Sequence, residues 1–347
     1  MKTTNKTPDS PLTRKPRFQF TWTTFLVLLL VLEVAVFGCK NQKFLNPKLI
    51  FTGVNDYLPI CIISLFVTFV MITGGMDIQA YSLVGLTSII IGVLWQDFGF
   101  HIWAAAGVAV LVCALCGALS GFFIGYCHVQ PMVVTLGGSY LYSGLALLVS
   151  TLSSTESYKG ISGFPDSFRI ITKTKIFGLI PLQIVIYIAL AVFAYVLLHK
   201  TKYGRKVFLV GVNASAAEYS GINSRWIKMS TYILSAVAAS LTGIIMTSYL
   251  GTAKSDLGSS SLTMNIITAV VLGGTLSTGG SGSIIGTVLA SLIIGLLRFG
   301  MPLCFKINTQ YLDIPIGVLL LVVVLGRSAA SNPKVAGMIK KLRKKES

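Results

Sequence analysis

Long apolar stretches free of Asp, Glu, Lys and Arg dominate the chain: Tyr57–Met76, Ile78–Gln96, Phe98–Thr155, Ile176–His199, Met229–Ala253 and Leu257–Leu297. A helix that crosses a bilayer takes about 20 apolar residues. The stretches over 98–155 and 257–297 are each long enough to need two helices. With Thr21–Gly38 and Gln310–Arg327 added, the pattern predicts about ten spans. They fall at 21–38, 57–74, 79–95, 102–125, 131–150, 181–198, 229–250, 262–278, 283–300 and 310–327. Polar residues gather in two long connections. The 151–180 segment is rich in Ser, Gly and Lys, carries Phe164-Pro165, and is long enough to fold over one mouth of a bundle. The 199–228 segment is basic at both ends, with a short helical pattern between them.

Composition sharpens this reading. Of 347 residues, 54% are hydrophobic and 11% charged, against about 25% charged in a soluble domain. Mean hydropathy is +0.79. So little polar surface cannot cover a water-soluble globule of this size. Soluble enzymes, nucleic-acid binders and disordered chains are excluded. The expected fold is an all-α polytopic membrane protein of about ten transmembrane helices, some of them broken at Gly-rich points.

The net charge of +17 reads as topology rather than nucleic-acid binding, because basic residues accumulate in cytoplasmic loops. The tail before the first span holds 5 Lys/Arg, the 199–228 loop 6 and the C-terminal segment 7, so 18 of 28 fall on one side of a ten-span chain. That places both termini in the cytoplasm and the 151–180 loop in the periplasm. The expected organisation is a cytoplasmic tail over 1–20, a permease domain over 21–327 and a basic cytoplasmic tail over 328–347. Val36-Phe37-Gly38-Cys39 mimics a lipoprotein cleavage site, but Phe37 suits it poorly and the run is long enough to span. It reads as an uncleaved first helix.

No catalytic set stands out. His101, His128 and His199 are scattered near span ends, and no metal cluster or cofactor is expected. Cys113-x-x-Cys116 lies inside an unbroken apolar stretch with no second pair at ligand spacing, which favours helix packing over metal. The run Gly273–Thr287 has the glycines of a phosphate loop without its Lys. In a membrane it reads as a broken helix: Gly273, Gly274, Gly280 and Gly282 permit a tight turn, and Gly282-x-x-x-Gly286 permits close helix packing. A second break is Thr73-Gly74-Gly75-Met76-Asp77. Two readings of Asp77 stand: an N-cap for the third span at the cytoplasmic surface, or a gate and packing determinant. Glu33 within the first span reads as a carboxylate snorkelling towards the interface, with proton coupling as the sharper alternative. Pro131–Gly137 opens a span in the usual way. Thr135 and Tyr140 there either line a polar path for a hydroxylated solute or simply pack.

At 199–228 the residues become specific. Lys200-Thr201-Lys202-Tyr203-Gly204-Arg205, Gly211-x-Asn213, Ala216-Ala217 and Ser220-Gly221-Ile222 resemble the cytoplasmic coupling segment of sugar-type ABC importer permeases. Thr73–Ile78, Pro131–Gly137 and Ala269–Thr287 resemble further motifs of that family, in the same order. Within it the nearest likeness is to the branch that imports autoinducer-2, to the second of the two permeases, on Tyr158–Pro165, Ala253–Gly258 and Gly279–Thr287. Ala80-Tyr81 departs from the small residues usual there.

The resemblance implies a permease subunit that moves autoinducer-2, a small sugar-like signal, without an ATPase site of its own. Its implied partners are a cytoplasmic ABC ATPase, a second and related permease subunit, and a periplasmic solute-binding protein. The implied ATPase-coupling residues are Gly204, Arg205, Gly211, Asn213, Ala216, Ala217, Gly221 and Ile222. The path or gate candidates are Gly74, Gly75, Asp77, Thr135, Tyr140, Gly273, Gly274, Gly280 and Gly282. Import of a pentose such as ribose or xylose is the alternative within the family. Outside it stands an ion-coupled secondary transporter, which would need paired intramembrane acids.

Overall fold

In the computed structural model the described residues are 21–156, 159–176, 178–258 and 262–331. The tail over 1–20, residues 332–347 of the C-terminal tail and Tyr158 of the 158–165 motif lie outside them.

Fourteen α-helices are described: α1 (Trp22–Lys40), α2 (Pro47–Asp56), α3 (Leu58–Ile72), α4 (Ser82–Gln96), α5 (Ile102–Gly125), α6 (Pro131–Ser150), α7 (Asp166–Lys173), α8 (Leu182–His199), α9 (Lys202–Val212), α10 (Ala214–Tyr219), α11 (Ser224–Leu250), α12 (Thr263–Leu272), α13 (Ile284–Phe305) and α14 (Asp313–Ser331). Two short antiparallel pairs join β1 (Ile161–Ser162) to β4 (Thr252–Ala253), and β2 (Lys175–Ile176) to β3 (Ile180–Pro181).

Each of the ten expected positions carries a helix, but their lengths differ from the expectation. Among the described residues six helices are long and apolar enough to cross a membrane: α1, α5, α6, α8, α11 and α13. The pair α2 and α3, bent by 58°, brings the number to seven if it is one span. The expected spans 79–95 and 262–278 are helices of only 15 and 10 residues. Helix α4 starts only at Ser82, after the non-helical chain over 73–81. Gly74, at φ +78°, follows the end of α3, and Gly274, at φ +97°, follows the end of α12, conformations that end a right-handed helix. The expected span 229–250 starts earlier than charge alone suggests, at Ser224, because the Asn223 side chain accepts the Trp226 N–H and caps α11.

The core is built around α3, whose 15 residues are all buried. A helix apolar on every side is stable only when fully surrounded. Here α8, α11, α12 and α13 surround α3, while α4 lies among α5, α6 and α11. Small residues let backbones meet: a Cβ on Gly117 of α5 would stand 2.7 Å from the Tyr232 carbonyl oxygen of α11.

At one end of the bundle, α7 and the β1–β4 pair seal the helices. Phe168 is fully buried, edge-on to Trp103, and Phe164 packs on Trp95. The Ser248 hydroxyl donates to the Phe168 carbonyl at 2.8 Å. On the exposed side of α7, Lys173 bonds Asp166 at 2.7 Å and holds its carboxyl below the usual carboxylate range. At the opposite end lie α9, α10 and both Gly-rich breaks.

Candidate functional site

The α9–α10 unit is assembled from local signals. Thr201 caps α9 by accepting the Gly204 N–H at 3.2 Å, and Asn213 caps α10 by accepting the Ala216 N–H at 3.0 Å. Helix α10 ends in a Schellman turn: Ile222 N–H reaches Ala217 C=O, Gly221 N–H reaches Glu218 C=O, and Gly221 takes φ +78°. Gly221 is thus required for its backbone conformation. Nothing lies within 4 Å of the Cβ it lacks.

Small residues in this unit make room for the chain itself. A Cβ on Gly204 would overlap the Leu198 carbonyl oxygen at the end of α8. A Cβ on Gly211 would overlap the Ile72 carbonyl oxygen and stand 2.7 Å from the Gly280 nitrogen. Ala217 is buried at 4% exposure. Exposed are Arg205, Asn213, Ala216 and Gly221, together with three residues the sequence reading missed: Leu209, Val212 at 72% and Tyr219 at 93% exposure. On α9, Leu209 and Val212 lie off the buried face of Gly204, Val207 and Val210, and that break in the apolar period is the signal that marks them. Beside α10 opens a cavity of about 390 Å3, lined by Tyr126, Glu218, Gly221, Ile222, Asn223 and Arg225.

Gly211 sits where the two breaks meet. The Gly280 N–H donates to the Ile72 carbonyl at 2.8 Å. Gly279 and Gly280 have φ of +88° and +75°, and a Cβ on Gly279 would lie 2.8 Å from the Gly74 nitrogen. Gly282 packs on Ile72 and Thr275. Gly273 and Gly286 bring α12 and α13 into backbone contact, and Thr68 bonds Thr287 at 2.9 Å across to α3. Gly274 lies against the Trp22 indole, whose Nε1 donates to the Leu272 carbonyl at 3.0 Å. The α9 segment and the two broken helices, far apart in sequence, thus share one junction.

Behind the first break lies a buried polar cluster. Asp77 is 2% exposed and accepts the Ala80 N–H at 3.1 Å. It caps the turn leading into α4 from inside the protein, not at a surface. Thr135 donates to the Met76 carbonyl at 3.2 Å and Tyr232 donates to it at 3.3 Å. Gly75 leaves space for the Tyr232 hydroxyl. Gln79, which the sequence reading missed, accepts the Ser120 hydroxyl at 2.8 Å, and its Nε2 has no partner among the described residues. Ser120 also lies 3.1 Å from Tyr142, which donates to the Cys116 carbonyl at 2.9 Å. Tyr142, not Tyr140, faces this cluster. Tyr140 is 74% exposed on the other side of α6, since residues two apart on a helix point in nearly opposite directions. Tyr142→Phe is therefore expected to cost about 1 kcal/mol of stability, and Tyr140→Phe less than about 0.5 kcal/mol. Thermal unfolding of the two variants checks the difference.

Glu33 does not reach an interface. Both carboxyl oxygens are buried without a partner among the described residues, beside an apolar cavity of about 250 Å3 between α1, α13 and α14. Among the described residues no group of three or more His, Cys, Asp or Glu is placed to hold a metal ion. All six cysteines are free.

Broken helices whose tips meet beneath a helical connection fit a multi-pass membrane transport protein. The model of the family described as "Branched-chain amino acid transport system / permease component" matches residues 49–324, and the chain belongs to that family. It is a transport component and a multi-pass inner-membrane protein. Among its relatives is the autoinducer 2 import system permease protein LsrD of Enterobacter sp. (strain 638), 40% identical over 307 residues, which are 88% of this chain and 93% of that one. LsrD of Klebsiella pneumoniae subsp. pneumoniae is 39% identical over 312 residues, 90% and 93% of the two chains. LsrD of Yersinia pestis (strain Pestoides F) is 40% identical over 310 residues, 89% and 92%. No solved structure matches.

Proposed function

We propose that this protein is a membrane-spanning subunit of an ATP-driven importer and that its solute is autoinducer-2. The α9–α10 face and both termini lie in the cytoplasm, and the α7 end faces the periplasm. Residues 21–327 form the permease domain, with ten membrane passages in which α4 and α12 complete crossings begun by non-helical backbone. Partner ATPase subunits hydrolyse the ATP, because the Gly-rich run lacks the Lys of a phosphate loop. A second, related permease completes the pore, and a periplasmic binding protein delivers the solute. The identity of about 40% over most of the chain to autoinducer-2 permeases supports the solute.

The observation that carries the mechanism is the junction at Gly211. A rigid α9 sits by its backbone on the Ile72 carbonyl and the Gly280 amide. Force from a partner on the exposed face of α9–α10 reaches both broken helices without passing through a flexible side chain. Helix α11 leaves the same unit and runs 27 residues to the far end, about 40 Å. Gly204, Arg205, Gly211, Asn213, Ala216, Ala217, Gly221 and Ile222 act in this unit mainly by shaping it, and Val212, Ala216 and Tyr219 make the contact.

Uptake of labelled autoinducer-2, ribose and xylose by the reconstituted complex tests this, with ATPase stimulation by the loaded binding protein measured beside it. ATP-dependent uptake of autoinducer-2 is expected. Uptake of a pentose alone would move the protein to the alternative solute. Uptake driven by an ion gradient without ATP would overturn the importer reading. Truncating exposed apolar anchors at an interface typically costs about 1–3 kcal/mol, roughly 5- to 150-fold in affinity. The double variant Val212→Ser, Tyr219→Ala should therefore lower ATPase co-purification by that factor while the permease still inserts. Undiminished co-purification would remove α10 from the contact.

A further inference from the structure

The chain between α11 and α12 runs as a short strand, Thr252–Ala253, and one 3-10 turn, Ser255–Gly258, rather than as an α-helix. Its depth can be read against α4, which ends at Gln96 beside Thr155 in the outer connection, with a 2.7 Å bond between them. Ala253 packs on Gly92, where a Cβ would meet it at 2.8 Å. The Lys254 N–H donates to the Ser88 hydroxyl at 3.2 Å. A Cβ on Gly85 would stand 2.5 Å from the Ser255 carbonyl and 2.7 Å from the Gly258 nitrogen, and Gly258 in turn lies close to the Ser82 carbonyl. From Gln96 to Gly85 is about 16 Å along a helix, half of a hydrocarbon layer about 30 Å thick. The turn Ser255–Gly258 therefore sits near mid-depth, and the ten residues of α12 complete the crossing.

Two charges travel with this segment. Asp256 is exposed and Lys254 is half-buried, its stem against Gly160. Irregular backbone at that depth persists only inside protein or beside water. An exposed carboxylate there cannot face hydrocarbon without a cost of several kcal/mol. The exposed side of Asp256 must face water, a polar solute or polar groups of the second permease across the pore. No such demand arises at the junction below, where breaks are filled by backbone contacts.

We propose that Lys254–Gly258 is the solute-contacting element of the transport path, with Asp256 accepting hydroxyl protons and Lys254 donating to the oxygens of a small polyhydroxylated solute. The glycines at 85, 92 and 258 are what let this strip lie flat on α4. The assignment rests on the importer reading above and adds the residues that read the solute. It also accounts for two charged residues in a region otherwise poor in charge.

The test has two arms, both on the complete complex. In the first, uptake of labelled autoinducer-2 and ribose is measured for Asp256→Asn, Asp256→Ala and Lys254→Gln. Loss of a charge-assisted hydrogen bond is expected to slow uptake about ten-fold or more in the Ala and Gln variants, with Asn intermediate. In the second, Asp256→Cys is placed in a background with Cys39 and Cys127 replaced by serine, since both are exposed. Cysteine at 256 is expected to react with a charged methanethiosulfonate reagent, and saturating autoinducer-2 or ribose to slow that reaction. An unreactive thiol, or uptake unchanged in the Ala and Gln variants, would overturn the assignment. Wild-type complex that takes up neither probe counts against the importer reading instead. The labelling arm needs no transport and then decides the exposure of residue 256 by itself.

Discussion

Gly211→Val is expected to abolish uptake while the protein still reaches the membrane. The new side chain would have to occupy the space of the Ile72 carbonyl oxygen and approach the Gly280 nitrogen, both backbone atoms. Neither can swing aside as a flexible side chain would. The Gly280–Ile72 hydrogen bond, 2.8 Å long, has to break or the end of α9 has to lift. Overpacking at a filled site costs about 1–3 kcal/mol, and a lost buried hydrogen bond about 1 kcal/mol more. The expected sum of about 2–4 kcal/mol is enough to separate α9 from the breaks without unfolding the remaining helices. ATP hydrolysis should then continue without solute movement, the signature of uncoupling. Uptake and ATPase rates measured on the same proteoliposomes check it. Coupled transport at the wild-type ratio would show that α9 does not act through this junction.

Gly286→Ala is expected to lower stability by about 3 kcal/mol, the upper end of overpacking costs. The added methyl would overlap the Gly273 carbonyl oxygen, and the reciprocal Cβ on Gly273 would stand 2.6 Å from the Thr287 nitrogen. Relief requires moving α12 from α13, which also strains the Thr68–Thr287 bond to α3. The paired control is Gly137→Ala. Nothing lies within 4 Å of the Cβ that Gly137 lacks, so alanine there is expected to be neutral or to stabilise α6 by about 0.5–1 kcal/mol. Thermal unfolding of the purified protein should separate the two variants by several degrees. Equal midpoints would mean that α12 and α13 do not pack through their glycines.

The same two glycines show where reading the chain in one dimension stops. The Gly-rich run over 273–287 marks a break and a close helix contact, and both occur. Apolar periodicity and glycine punctuation are local properties, imposed by hydrocarbon and by φ/ψ sterics, so the helix positions and the two breaks follow from the residues themselves. Membership of a permease family was legible for the same reason, in short motifs at 73–78, 131–137, 199–222 and 269–287.

The partners of each glycine were not legible. Gly204, Gly211 and Ala217 are small because Leu198, Ile72 and neighbouring core residues press on them, and no spacing in the chain announces a contact between position 211 and position 72. The same holds for Tyr142, chosen over Tyr140 by the way α6 is turned against α5, and for Gln79, whose partner Ser120 lies 41 residues on. Helix length was decided in three dimensions too. A stretch of apolar residues long enough to span at 262–278 is a ten-residue helix, because the chain breaks at Gly274, which packs on the Trp22 indole 250 residues away from Leu272. Local physics determines which segments are helical. The close approach of backbones that only the packed bundle creates determines where those helices meet, which small residues are indispensable, and which charges stay exposed.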